Sequence, residues 1–334
     1  METKSIEQVS YVRDKHSRKS DKNQNNPSLT NITVRQTTRE PRMKSIGTSL
    51  ALAALLGSMQ AGAAVLPEAE QGIRIPLAVK PSTRPMTVAY VPEHQRYYIA
   101  DGGLGPVPGD MENMTSKSAV HAYDSEGKYL QSALPGYNNR SMYYNPITYR
   151  LETVTYNVSS DAGFAPDTGI FALELEDNGD LKTTSKDISG YNPAFGDAAT
   201  MPSYNYDAKV YYAKQEHSNK VFVVDLSKRE KVGEIALDLK AAGANTDDIH
   251  EHYIAYTGIK GEELAILDID HKAVLVFDLE GRFAGKSALP KSLKLRAQNH
   301  YTGTGYTHGM LFLLHEPEGE FGTYYGFKVL ELAQ

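Results

Sequence analysis

A short apolar run, an acidic residue and a polar turn recur five times along the chain. The runs end at Asp124, Glu174, Asp225, Asp278 and Glu331, as in Val221-Phe222-Val223-Val224-Asp225 and Val274-Leu275-Val276-Phe277-Asp278. The acidic residue steps by 50, 51, 53 and 53 positions. Four copies continue through a tight turn such as Asp124-Ser125-Glu126-Gly127-Lys128 or Glu280-Gly281-Arg282 into a further apolar segment, and the fifth runs to the C-terminus. A near-constant period of this length marks a repeat architecture.

Within each repeat, segments rich in Val, Ile, Tyr and Phe alternate with turn residues and predict about four strands. The first repeat predicts Thr87–Val91, Arg96–Ala100, Ala119–Tyr123 and Tyr129–Leu134. The third predicts Ser203–Tyr206, Lys209–Ala213, Lys220–Val224 and Val232–Leu237. The fourth predicts His252–Tyr256, Glu263–Asp268, Ala273–Phe277 and Arg282–Leu289. Only Leu237–Ala244 suggests a short helix. Radially repeated four-stranded units make a β-propeller, which hides sheet edges. The fifth repeat lacks a fourth strand, while Ile73–Val79 belongs to no complete repeat. The expectation is therefore an all-β, five-bladed propeller over 73–334, with blades at about 84–136, 139–192, 196–241, 245–292 and 296–332. Strand 73–79 completes the last blade, and Pro76 suits its outer edge. The alternative is six blades with one degenerate.

The third-strand phrase, best seen in Val221–Leu226 and Val274–Gly281, resembles the YVTN and NHL classes of propeller repeat over most of residues 84–332. The resemblance implies fold. It leaves function open among ligand-binding scaffolds, lyases, hydrolases and large subunits of periplasmic amine dehydrogenases.

Residues 1–42 are polar without apolar periodicity, which predicts disorder. Residues 43–64 read as a signal peptide: Arg42-Met43-Lys44, an apolar stretch from Ile46 to Met59, then Ala61-Gly62-Ala63-Ala64. The apolar run is shorter than the roughly 20 residues of a bilayer span. The expected location is periplasmic or extracellular, with no membrane insertion after cleavage. Either Met43 is the true start or the n-region is unusually long. Residues 1–63 hold 10 of the 35 Lys and Arg and 5 of the 41 Asp and Glu, which leaves the remainder near −11. Such a surface argues against nucleic acid as a partner and favours cations, small molecules or basic proteins. There is no Cys, so disulfides, thiolate metal sites and catalytic Cys are excluded.

The chemistry is expected on the face bearing the loops between second and third strands: Asp101–Ser118, Ser159–Thr168, Lys214–Asn219, Asp268–Lys272 and His315–Thr323. Loops of this kind in compact domains are disproportionately functional. With the inter-blade connections they supply candidate ligand-binding residues Arg140, Glu216, His217, Asp248, His250, Asn299, His300 and His315. Arg140 could hold an anion bidentately or pair with Asp197 or Asp248. Asp248-x-His250-x-His252 would place two imidazoles on one strand face, so His250, His252 and His300 are candidate ligands for a divalent metal. Structural roles are the competing expectation for each. No zincin motif, nucleophile elbow or phosphate loop is present. The 22 Tyr are read as blade packing, and the absence of Trp argues against a glycan platform. The first expectation is binding of a small ligand, cation or partner protein on the loop-rich face. The alternatives are a metal-assisted lyase or hydrolase at the channel mouth, with His250 and His300 as ligands or acid/base groups, and a large subunit of a dehydrogenase-like complex.

Overall fold

Asp278 shows why the repeat carries an acid. Its carboxylate accepts from the backbone N–H of Glu280 (3.0 Å) and Arg282 (2.9 Å) and from Arg282 Nε (2.6 Å), closing the turn that follows the third strand. Asp225 takes Ser227 N and Lys228 N in the same way, and Asp124 takes Glu126 N and Lys128 N. These are Asx turns, in which a short carboxylate replaces a backbone acceptor. The left-handed position of the turn falls on Gly127 (φ 83°) after Asp124 and on Gly281 (φ 79°) after Asp278, whereas after Asp225 it falls on Arg229 (φ 55°). At Gly281 a Cβ would also lie 2.2 Å from Ala236 O.

The computed structural model describes residues 64–81, 84–102, 105–107, 110–115, 118–135, 139–155, 169–190, 193–196, 200–301 and 303–331. The expected disordered segment, the expected signal peptide up to residue 63, the loop Ser159–Thr168 and Asp197 lie outside the described residues. Strand β1 spans Val65–Pro76. The first unit contains β2 (Arg84–Val91), β3 (Arg96–Gly102), a small hairpin of β4 (Gly105–Val107) and β5 (Asp110–Thr115), β6 (Val120–Asp124) and β7 (Tyr129–Ala133). The second contains β8 (Ser141–Asn145), β9 (Arg150–Thr155), β10 (Gly169–Leu175) and β11 (Leu181–Gly190). The third contains β12 (Ser203–Asn205), β13 (Val210–Lys214), β14 (Lys220–Asp225) and β15 (Glu230–Ala236), followed by the single turn α1 (Leu239–Ala242). The fourth contains β16 (Ala255–Tyr256), β17 (Leu264–Asp268), β18 (Ala273–Phe277) and β19 (Phe283–Ala288). The fifth contains β20 (Thr304–Thr307), β21 (Met310–His315) and β22 (Thr323–Leu330).

The protein is thus nearly all β. Strands one to four of each unit pair antiparallel in chain order, and β1 pairs antiparallel with β22 as the fourth strand of the last unit. A parallel bridge, Glu68↔Ala288, also ties β1 to β19, so the fourth and fifth units share one eight-stranded sheet. The first strands touch in a cycle, β2 to β8 to β12 to β16 to β20 and back to β2.

The core is distributed among the seams rather than gathered at one centre. Leu267, Val274 and Val276 of the fourth unit meet Leu311, Leu313 and Phe327 of the fifth. Tyr212 and Val221 meet Leu264 and Leu275. Val91 and Tyr98 meet Met142 and Leu151, and Val154 and Ile170 meet Tyr211 and Val224. Ile75 and Leu77 join Val88, Ile99, Phe312 and Tyr324 in the seam between the first and fifth units. Each large apolar side chain buried there contributes about 1.5–3 kcal/mol. The five seams and the cycle of first strands make a propeller-like arrangement.

Three expectations are corrected. The closing strand begins at Val65, not Ile73, and ends at Pro76. Beyond it Leu77 turns into the seam, 6% exposed, and its N–H goes to Gly322 O. The stretch Asp101–Ser118 is not a bare loop, since it contains the β4–β5 hairpin. The expected strand His252–Tyr256 shrinks to Ala255–Tyr256. Its start is diverted because His250 Nδ1 accepts the N–H groups of His252 (3.2 Å) and Tyr253 (3.0 Å), a side-chain turn that competes with a ladder. Among the described residues no helix is long and apolar enough to cross a membrane.

Candidate functional site

The loop-rich face gathers some of the expected residues and separates others. Lys214, at the end of β13, is fully buried, and its Nζ donates to Gln215 O (2.7 Å) and Glu251 O (3.3 Å). His250 is fully buried and His252 is 7% exposed, with ring centroids 6.4 Å apart. Burial holds the His250 imidazole well below its ordinary pKa, and the neighbouring His252, Lys214 and His300 add to this. Its Nε2 has no hydrogen-bond partner among the described residues. Glu251, buried, takes His217 N (2.6 Å) and faces His217 Nδ1 (3.2 Å), and its own N–H goes to His300 O (2.6 Å). Glu216 lies 3.9 Å from His252 Nε2. Three neighbouring units are knitted together here.

The remaining candidates lie elsewhere or hold backbone. Asp248 caps its own turn by accepting Asn245 N (2.7 Å) and faces His271 (3.9 Å) rather than His250. Asn299 donates to Leu314 O and accepts Arg296 N, which fixes a turn of 3-10 helix. His300 faces Asp270 at 3.5 Å, and His315 faces Glu318 at 3.5 Å beside Tyr325. Arg140 is buried, following Asn139, whose N–H and side-chain amide bind Ser118. His250 and His252 do not share a strand face, because Nδ1 of His250 is committed to backbone. Among the described residues no three His, Asp or Glu side chains meet in a geometry that would hold a metal.

The opposite strand ends carry a feature that sequence reasoning missed. A cavity of about 660 Å³ opens among the turns that join first to second strands, and all five units line it. Tyr90 comes from β2, and Tyr143 and Tyr144 come from β8. Tyr204 and Tyr206 belong to the third unit, Tyr253 and Tyr256 to the fourth, and Tyr306 to β20. Among its described lining residues there is no Lys, Arg, Asp or Glu. The inner wall includes Ser141, Ser203 and Tyr253, next in the chain to Arg140, Pro202 and His252.

The rings are held in place from behind. Tyr90 stacks on His308 at 4.1 Å and 7°, and Tyr97 Oη meets His308 Nδ1 at 3.0 Å. Tyr253 Oη accepts Tyr306 N (2.8 Å). Tyr143 Oη lies 2.6 Å from Tyr211 Oη and donates to Glu152 (2.8 Å). Tyr256 Oη donates to Asp207 (2.9 Å), and Tyr144 Oη to Glu93 (2.5 Å). Burial pushes the Tyr306 phenol up to about 12 and raises Tyr143, Tyr204, Tyr206, Tyr253 and Tyr256. Burial also lowers His308, with Lys328 adding to it. The wall is therefore neutral at neutral pH. The only sequence signal is the Tyr enrichment of the first strands, which strand packing accounts for equally well.

No family model matches the chain, and no curated protein matches it. Among solved structures, the periplasmic gluconolactonase of Pseudomonas aeruginosa is similar over 69% of this chain, with 12% identity and a TM-score of 0.35. The aligned part spans 64% of that protein, less than two thirds of its length. A protein of unknown function from Bacteroides caccae is similar over 63% of this chain and 69% of its own, with 13% identity and a TM-score of 0.32. These overlaps are partial, and the site is read from its own residues.

Proposed function

We propose that this chain is an exported five-bladed β-propeller that binds a small organic ligand in the tyrosine-lined cavity at the centre of its ring. The cavity carries the reading. It is of ligand size, concave, mixed apolar and polar, and built by all five units at the point where first strands converge. The cycle of first strands and the five apolar seams support five blades, and β1 is their closing strand. Export rests on the signal-like segment 43–64. This reading places binding on the face opposite the long loops. The buried His250–Lys214 layer then serves as inner scaffold behind the wall.

Titration calorimetry gives a direct assay for every probe, and for choline and glucose tyrosine emission gives a second, because the chain has no Trp to mask it. Wild type is titrated with choline, glucose and phenol, one probe for each of three ligand chemistries, alongside Ser203→Phe. Ser203 is 8% exposed and lines the cavity, so a phenyl ring there fills it. At least one probe is expected to bind wild type and not a folded Ser203→Phe protein. Binding by none, or equal binding to both proteins, would refute the cavity as the site.

A further inference from the structure

A buried carboxylate, with no basic partner among the described residues, stands behind the cavity wall. Glu152, on β9, is 3% exposed. Its carboxylate accepts from Tyr143 Oη (2.8 Å), Asn145 Nδ2 (3.1 Å) and Thr148 Oγ1 (3.0 Å). All three donors are neutral, and no Lys, Arg or His among the described residues pairs with it. Buried carboxylates are ordinarily matched by a cation, since neutral donors only partly replace water. Burial raises the phenol pKa values of Tyr143, Tyr204 and Tyr211, and the nearby Glu152 carboxylate adds to the rise.

The wall in front of this charge is aromatic. Tyr143 and Tyr204 have ring centroids 5.6 Å apart. Three lining phenols, Tyr143, Tyr144 and Tyr256, donate their protons to carboxylates: Glu152, Glu93 and Asp207. A phenol that donates to a carboxylate has a more electron-rich ring, which strengthens its attraction for a cation. An anionic ligand would face three carboxylates across the wall. A neutral polyol would leave Glu152 uncompensated. A bare metal ion would find no charged ligand among the described lining residues and far more room than it needs.

We infer that the cavity takes an organic cation, a substituted ammonium, held against the tyrosine rings with Glu152 as its counter-charge behind Tyr143. This deepens the reading of the cavity as the ligand site and rests on it. The net charge near −11 of the chain beyond residue 63 draws such ligands from solution.

The test compares choline with its uncharged carbon isostere, 3,3-dimethylbutan-1-ol, by titration calorimetry on wild type and Glu152→Gln. Choline is expected to bind about tenfold more tightly than the isostere, a difference of about 1.4 kcal/mol. Glu152→Gln keeps the shape and removes the charge, so choline should weaken about tenfold and the isostere should not change. Equal affinities in wild type, or choline binding indifferent to Glu152→Gln, would overturn the cation while leaving the cavity as the site. Binding of glucose or phenol alone would do the same. Failure of every probe overturns both readings. Should Glu152→Gln not fold, Tyr306→Leu gives the second measurement. It removes a π face and keeps apolar bulk, so choline should weaken and the isostere should hold. Parallel loss of both ligands would overturn the inference.

Discussion

Ile75 is the side chain on which closure of the ring can be tested most directly. It lies on β1, is fully buried, and packs in the seam between the first and fifth units with Val88, Ile99, Phe312 and Tyr324. Ile75→Ala removes three carbon groups at about 0.8 kcal/mol each, or about 2.4 kcal/mol of transfer free energy. Two sheets and β1 line the vacated space, so collapse is restricted, and the residual cavity should bring the cost to about 3–5 kcal/mol. For a domain of this size that lowers Tm by about 6–20 °C. Urea unfolding followed by far-UV circular dichroism reads it as a lower midpoint at unchanged m. Ile147→Ala is the control, because Ile147 is 49% exposed and should cost less than about 0.5 kcal/mol. A loss below about 1 kcal/mol at Ile75 would refute closure by β1. A separate early transition of small m would mean that β1 detaches by itself.

Two further outcomes follow from hydrogen bonding and titration. Asp278→Ala removes the acceptor of three bonds in the turn after β18 and should cost about 1–3 kcal/mol in the same urea assay, with Asp278→Asn recovering much of it. His250 is held neutral by burial, so its folded pKa lies below its unfolded value of about 6.5. Its contribution is therefore complete above about pH 6.5 and is lost as pH falls towards the folded pKa, with a slope of at most about 1.4 kcal/mol per pH unit. Unfolding midpoints measured between about pH 5 and 7 should fall with acid in wild type and fall less steeply in His250→Asn. Parallel curves would refute the neutral buried imidazole.

The sequence made the architecture legible because the repeated acid has one local job. Asp124, Asp225 and Asp278 close turns through their own neighbours, so their spacing reports the unit length directly. The missing fourth strand of the last repeat and the orphan segment at its other end were equally local facts, and β1 pairs with β22. The site was less legible. Tyr90, Tyr143, Tyr204, Tyr253 and Tyr306 come from five units spread over more than 200 residues, and only their assembly makes a cavity. Each alone is an ordinary tyrosine in or beside a first strand. Glu152 sits on a strand among apolar and β-branched residues, and that no described Lys, Arg or His pairs with it is invisible until neighbouring strands are in place. The histidines, conspicuous in sequence, include members that bind backbone or face nearby carboxylates.

The pairing of β1 with β22 joins the first described strand to the last. Val65 meets Leu330, so the antiparallel neighbour of β1 lies about 265 residues further along the chain. Contacts between such distant residues form slowly, because a very long loop must close first. Until then the edge of β22 and the apolar side of Ile75 are open to other chains. The contact that closes the ring is therefore expected to form late, after the locally paired units. A ring closed by β1 thus ties distant parts of the chain together without the covalent staple that a chain lacking cysteine cannot make.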